Sequence, residues 1–243
     1  MQQTYRRRRR RLNPRFVILC CVLACLLARL IWGVWTLLAP EAESGDAPEE
    51  GNPILNLLVK PLPGEGVALP DYVESALLTV NPWSRPGTEL KEIGGVVIHY
   101  VGNPDTTAKA NRNYFESLKS GKSGVMASSH FIVGLEGEVL QCVPLTEVAY
   151  ASNTRNGDTV AIEVCHPDEE GKYADVTYAR VVELTAWLCH TFKLDPQTEV
   201  IRHYDVTGKI CPRYYVENPG AWDALRADVS RVLTEMQAEK QEG

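Results

Sequence analysis

The sequence predicts an α/β domain with a central mixed β-sheet flanked by helices, carried behind an N-terminal transmembrane helix. Three observations predict it. Short β-branched runs alternate with helical periodicity from Pro70 almost to the C-terminus, the pattern of strands interleaved with helices around one sheet. That block, about 170 residues long, is large enough to bury one substantial core. Ahead of it, residues 16–38 form an apolar segment of membrane-spanning length.

In chain order, residues 1–15 are a basic cytoplasmic segment. Six consecutive arginines, Arg6 to Arg11, and then Arg15 precede the apolar run, while Glu41, Glu43 and Asp46 follow it. The positive-inside rule therefore keeps the N-terminus in the cytoplasm and sends the rest of the chain across the membrane. The run FVILCCVLACLLARLIWGVWTLL covers roughly 34 Å as a helix, against a hydrocarbon core of roughly 30 Å. Arg29, near mid-span, costs about 2.5–3.5 kcal/mol, which the flanking Leu, Ile and Trp residues offset. Two other readings, a cleaved signal peptide and a lipoprotein signal with Cys25 lipidated, export the same body of chain.

Residues 39–69, rich in Pro, Gly and acids, read as a linker that holds the domain off the membrane. The domain is expected over 70–238, with a short tail at 239–243. Strands are expected at 95–100, 130–133, 139–143, 159–165 and 199–202, where β-branched runs are bounded by glycines and turns. Helices are expected over 108–119, along the face Val181, Leu184, Leu188 and Phe192, and along the face Trp222, Leu225, Val229, Val232 and Met236.

Composition narrows the function. With 44% hydrophobic and 23% charged residues, the chain is not disordered throughout. Eight of its 25 basic residues lie in the first 29, leaving 17 against 31 acids, a body charge of −14. So acidic a body lacks the basic footprint of a nucleic-acid binder. Outside the apolar segment only Cys142, Cys165, Cys189 and Cys211 remain, too few and too scattered to be the framework of a disulfide-stapled fold.

Five histidines are available: His99, His130, His166, His190 and His203. His99 ends one expected strand and His203 follows another, with Cys211 eight residues on. Two imidazoles and a thiolate at a sheet edge suit zinc with a fourth position open. Packing and surface roles for the same residues are the competing reading. His130, inside an apolar strand, reads as a hydrogen-bonded core histidine, or at most as an outer partner of the site. His166 and His190 read as loop and helix-surface residues.

The string His203-Tyr-Asp-Val-Thr-Gly-Lys209-Ile-Cys211-Pro, preceded by Val97-Ile-His99-Tyr, resembles the zinc-dependent N-acetylmuramoyl-L-alanine amidases of the phage lysozyme and peptidoglycan-recognition type. Ser128-Ser-His-Phe-Ile-Val133 and Asn156-Gly-Asp-Thr-Val-Ala-Ile-Glu163 extend the likeness in family order across roughly residues 85–235. The resemblance implies a peptidoglycan substrate and one zinc ion per chain, held by His99, His203 and Cys211, with Lys209 pointing into the site. At Ser129 the chain departs from phage-type enzymes, which carry a catalytic tyrosine there. Relatives without that tyrosine use a glutamate in an Ile-Glu context, which matches Ile162-Glu163 and makes Glu163 the candidate acid/base.

The residue types fit that chemistry. Amide hydrolysis needs water activated near neutral pH, which zinc provides, and a carboxylate to move a proton to the leaving nitrogen. An ammonium such as Lys209 stabilises the developing oxyanion. Two neutral imidazoles and one thiolate leave the zinc with a formal charge of +1, so it keeps its Lewis acidity. Asp205 is expected to orient the His203 loop or an imidazole, and Asn153 and Arg155, in a polar loop, to line a sugar-peptide groove. The alternative is a peptidoglycan-binding or sensing module that keeps the fold without catalysis. Any protein partner is unknown.

Overall fold

The computed structural model describes residues 62–242. The predicted cytoplasmic segment, the transmembrane helix at 16–38 and the linker up to residue 61 lie outside the described residues. Among the described residues, no helix is long and apolar enough to cross a membrane.

Six strands form one mixed sheet: β1 (Val73–Ser75), β2 (Val96–Tyr100), β3 (Phe131–Val133), β4 (Val139–Gln141), β5 (Val160–Val164) and β6 (Val200–Arg202), in the spatial order β1-β4-β3-β5-β2-β6. Every pair is parallel except the hairpin β3–β4. Its turn needs Gly137, whose φ of 78° lies in the region closed to most side chains. The helices are α1 (Ala108–Ser117), α2 (Asp175–Phe192), α3 (His203–Thr207), α4 (Arg213–Glu217) and α5 (Pro219–Glu242).

Alternation along the strands sorts the side chains onto two faces. Val96, Ile98, Phe131, Val133, Val160, Ile162 and Val164 pack against α2 and α5 through Val181, Leu184, Leu188, Trp222, Leu225 and Val229. On the other face, Ile132 and Leu140 pack under α1 through Ala108 and Phe115. Thr107 starts α1, its hydroxyl accepting from Ala110 N–H at 3.2 Å. Phe131 is fully buried and meets Trp187 edge-on at 6.5 Å. Phe131→Ala is expected to cost about 3–5 kcal/mol of stability, read from chemical denaturation.

The packed domain begins earlier than the composition implies. Val67 and Leu69, assigned to the linker, pack on the main core, and α5 continues to Glu242 rather than stopping at 238. Strand β1 and helices α3 and α4 are additional to the predicted elements. The four described cysteines are buried free thiols. His166 lies in a loop, as expected, but is buried there: it stacks on Tyr100 at 5.0 Å and directs Nδ1 at Asp168 O.

Candidate metal centre

Helix α1 covers only part of its face. At the C-terminal ends of β2, β5 and β6 that face stays open as a cavity of about 740 Å³, whose walls include His99, Glu163, His203, Lys209 and Cys211. This is where an open parallel sheet gathers side chains from separate strands.

Register brings the key residues side by side. On parallel neighbours β2 and β5, His99 pairs with Glu163, so both side chains leave the same face. Ile98 pairs with Arg202 on the other side, which puts His203, the first residue of α3, next to His99. The two imidazole centroids are 4.6 Å apart. Glu163 occupies a regular strand position with no bulge. It turns from the apolar pattern of β5 because the sheet here faces the cavity instead of α1.

The start of α3 is fixed by Asp205, whose carboxylate accepts from Arg202 N–H at 2.8 Å and from the Arg202 guanidinium at 2.7 Å. Asp205 thus orients the loop and not an imidazole. After α3 the chain folds back, Tyr204 N–H donating to Cys211 O at 2.9 Å, and this return brings the Cys211 thiol to the histidines. Cys211 Sγ lies 3.9 Å from His99 Nδ1.

One ligand atom from each of His99, His203 and Cys211 falls within 4.8 Å of the others. Ligands at about 2.0–2.3 Å around a tetrahedral zinc lie roughly 3.3–3.8 Å apart, so a small contraction closes the set. The donors also have suitable chemistry. Burial, His203 and Lys209 hold His99 well below the usual imidazole range, and burial and Lys209 lower His203, so both rings are neutral with a lone pair to give. Burial, reinforced by the Glu163 charge, pushes the Cys211 thiol up to about 12, with a Tyr100 backbone hydrogen bond and Lys209 opposing. A thiol so reluctant to ionise in the apo protein is what a divalent cation would convert to thiolate.

Glu163 is half-buried by area, but its Oε2 is sealed and has no hydrogen-bond partner. Burial raises its carboxyl to about 8, with the Lys209 ammonium offsetting part of the rise. Because Glu163 lines the cavity, its carboxyl is placed to exchange a proton with whatever occupies it. Lys209 is exposed and lines the same cavity.

Other candidates fall elsewhere. Arg155 is not a groove residue: its Nε pairs with Asp158 at 2.7 Å and it does not line the cavity. His130 is not an outer partner of the metal centre. Its Nδ1 accepts from Ala161 N–H at 3.0 Å and its Nε2 meets Glu147 O at 2.9 Å, so it staples backbone segments inside the core. Ser129 is likewise a staple, accepting from Glu163 N–H at 3.2 Å and donating toward Phe131 O at 2.6 Å. Asn153 does line the cavity, yet its Oδ1 is spent on His203 Nε2 at 3.1 Å. Ser152, absent from the sequence candidates, holds His99 Nε2 at 3.2 Å. A single serine in a polar loop carries no signal in the sequence.

Burial lowers the His130 pKa to about 4, whereas the unfolded chain takes up the proton near 6.5. The unfolded state therefore binds more protons between these values, and stability is lost as pH falls through that window, by about 3 kcal/mol. Unfolding free energies at pH 7 and pH 4 check this. His130→Gln is expected to be less stable at pH 7 and to lose less on acidification.

A mixed sheet with two histidines, a cysteine and an unpaired carboxyl converging on one open cavity defines an α/β domain with a candidate three-ligand metal site. Residues 89–214, just over half of the 243, match the N-acetylmuramoyl-L-alanine amidase family, and the chain belongs to it. It is 30% identical over 164 residues to the N-acetylmuramoyl-L-alanine amidase BlyA of Bacillus subtilis strain 168, covering 59% of this chain and 43% of that protein. To a probable N-acetylmuramoyl-L-alanine amidase of Bacillus licheniformis it is 32% identical over 166 residues, 63% of this chain and 46% of the other. The chain thus spans less than half the length of these relatives. In fold it is similar to a mutant endolysin from Bacillus subtilis, with a TM-score of 0.54 at 23% identity over 65% of this chain and 97% of that one.

Proposed function

We propose that this chain is a membrane-anchored, extracytoplasmic zinc amidase that cleaves the amide between the lactyl group of N-acetylmuramic acid and the L-alanine of the stem peptide. The observation that carries the proposal is the convergence of His99, His203, Cys211 and Glu163 on one open cavity in a chain of the amidase family. A zinc ion held by the two histidines and the cysteine supplies Lewis acidity and water that ionises near neutral pH.

The rest of the chemistry belongs to the chain. Glu163 accepts the proton of the attacking water and delivers it to the leaving nitrogen, which departs as an amine instead of an anion. Lys209 carries a fixed positive charge at the lip of the cavity, where an ammonium favours the developing oxyanion over the neutral carbonyl.

Residues 16–38, flanked by arginines before and acids after, support a single-pass anchor with the N-terminus in the cytoplasm. An anchor and linker hold the enzyme at high local concentration beside an insoluble substrate. The test is to incubate the full-length, zinc-loaded chain in detergent with purified peptidoglycan and identify the products by mass spectrometry. Stem peptides with a free N-terminal L-alanine, without new reducing sugars, are expected. Zinc-bound protein that adheres to the wall and releases nothing would favour the binding module.

A further inference from the structure

We propose that the turn at residues 152–156 sets the ring tautomer of both histidine ligands, with Ser152 and Asn153 as a positioning pair; this rests on the metal reading of His99, His203 and Cys211. The two rings arrive from strand β2 and from the first residue of helix α3, yet consecutive residues of one turn take hold of both. Ser152 Oγ lies 3.2 Å from His99 Nε2, and Asn153 Oδ1 lies 3.1 Å from His203 Nε2.

The chemistry of the partner fixes the sense of the bond at His203. An amide oxygen only accepts, so His203 carries its proton on Nε2 and keeps its lone pair on Nδ1. At His99 the sense follows from the other nitrogen: a lone pair on Nδ1, which lies 3.9 Å from Cys211 Sγ, requires Nε2–H with the Ser152 hydroxyl accepting. Asp205, the residue whose motif position suggests this role, is occupied by Arg202.

The turn is built to hold its place. Asn156 Oδ1 accepts from the N–H groups of Ala151, at 3.1 Å, and Ser152, at 2.5 Å. Thr159 Oγ1 donates to Arg155 O at 2.6 Å, and Arg155 is clamped by Asp158. Gly95 leaves room beside it: a Cβ there would stand 2.8 Å from Glu199 O and 3.5 Å from Arg155 Nη2. Asn153 itself adopts φ of 52°, a left-handed conformation that asparagine tolerates better than most residues. A strained backbone is thus retained at the residue whose side chain reaches the ligand.

The experiment separates this role from plain packing. Asn153→Gly keeps the positive φ at ease and deletes only the amide, Asn153→Asp restores an acceptor, and Ser152→Ala removes the hydroxyl from His99. Zinc affinity of the full-length chains is measured by chelator competition, and the ring tautomers of the metal-free chains by long-range ¹H–¹⁵N NMR on labelled histidine. Asn153→Gly and Ser152→Ala are each expected to weaken zinc by roughly 10–100-fold. Asn153→Gly should keep the unfolding midpoint and give His203 a new Nδ1–H population, and Asn153→Asp should recover the affinity. Affinities within about twofold of the unsubstituted chain, with both rings still in the Nε2–H form, would overturn the proposal. Should the unsubstituted chain take up no zinc, the metal reading has failed and this proposal falls with it.

Discussion

Glu163→Gln is expected to leave zinc content unchanged and to lower kcat on peptidoglycan by roughly 10²–10⁴-fold, the usual range for removing a positioned acid/base. KM should move little, since the amide of glutamine occupies the same space at the cavity wall. The loss follows from position: Glu163 stands beside His99 in register, on the open part of the face, with one oxygen sealed and unpaired. Glutamine at that site fills the volume and cannot accept the proton.

The same variant provides its own control for folding. In the metal-free chain, folded Glu163 holds its proton to about pH 8, whereas the unfolded chain releases it near 4.5. The native state binds more protons between these values, so stability falls as pH rises through that window. Glutamine does not titrate. Metal-free Glu163→Gln should therefore be more stable than the unsubstituted chain at pH 8 and close to it at pH 4. An inactive variant that is also less stable at pH 8 would point to a structural role for the carboxylate.

Much of this architecture is legible in the sequence because the relevant signals are local. Strands β2 to β6 carry β-branched runs bounded by turns, and α2 and α5 are long enough to show a face. Strand β1 is no shorter than β3, β4 or β6, but Val73-Glu-Ser75 carries a single β-branched residue, and α3 and α4, with five residues each, are too short for a helical period to emerge. The site divides in the same way. His99 and His203 stand at strand ends, and Cys211 follows a short loop, so motif spacing finds them. Their supporting partners are set by tertiary approach. Asp205 looks like an imidazole partner because it is near His203 in sequence, but the adjacent Arg202 captures it within the first turn of α3. Arg155 reads as a groove residue because it is charged and in a loop, yet Asp158 three residues on neutralises it. Ser152 reaches His99 across 53 residues, a pairing no local pattern encodes.

Cys211→Ala is expected to abolish zinc retention and, with it, turnover. Three protein donors are the minimum that leaves a catalytic zinc site one open position. The thiolate also carries the trio's only negative charge, since both imidazoles are held neutral by burial and by Lys209. Its removal should therefore weaken zinc by more than the roughly 10–100-fold expected for a supporting partner such as Ser152. Zinc uptake has to deprotonate a thiol that burial pushes up to about 12 and favours the ionised form of the neighbouring Glu163 carboxyl, so binding should release at least one proton near neutral pH and tighten as pH rises. Calorimetry in buffers of different ionisation enthalpy reads this directly. The unsubstituted chain should show a buffer-dependent heat of at least one proton per zinc, and Cys211→Ala no saturable binding. A Cys211→Ala chain that held zinc as tightly, with no change in proton release, would remove the cysteine from the ligand set. Helix α3 and the return to Cys211 would then serve only to close the end of the sheet.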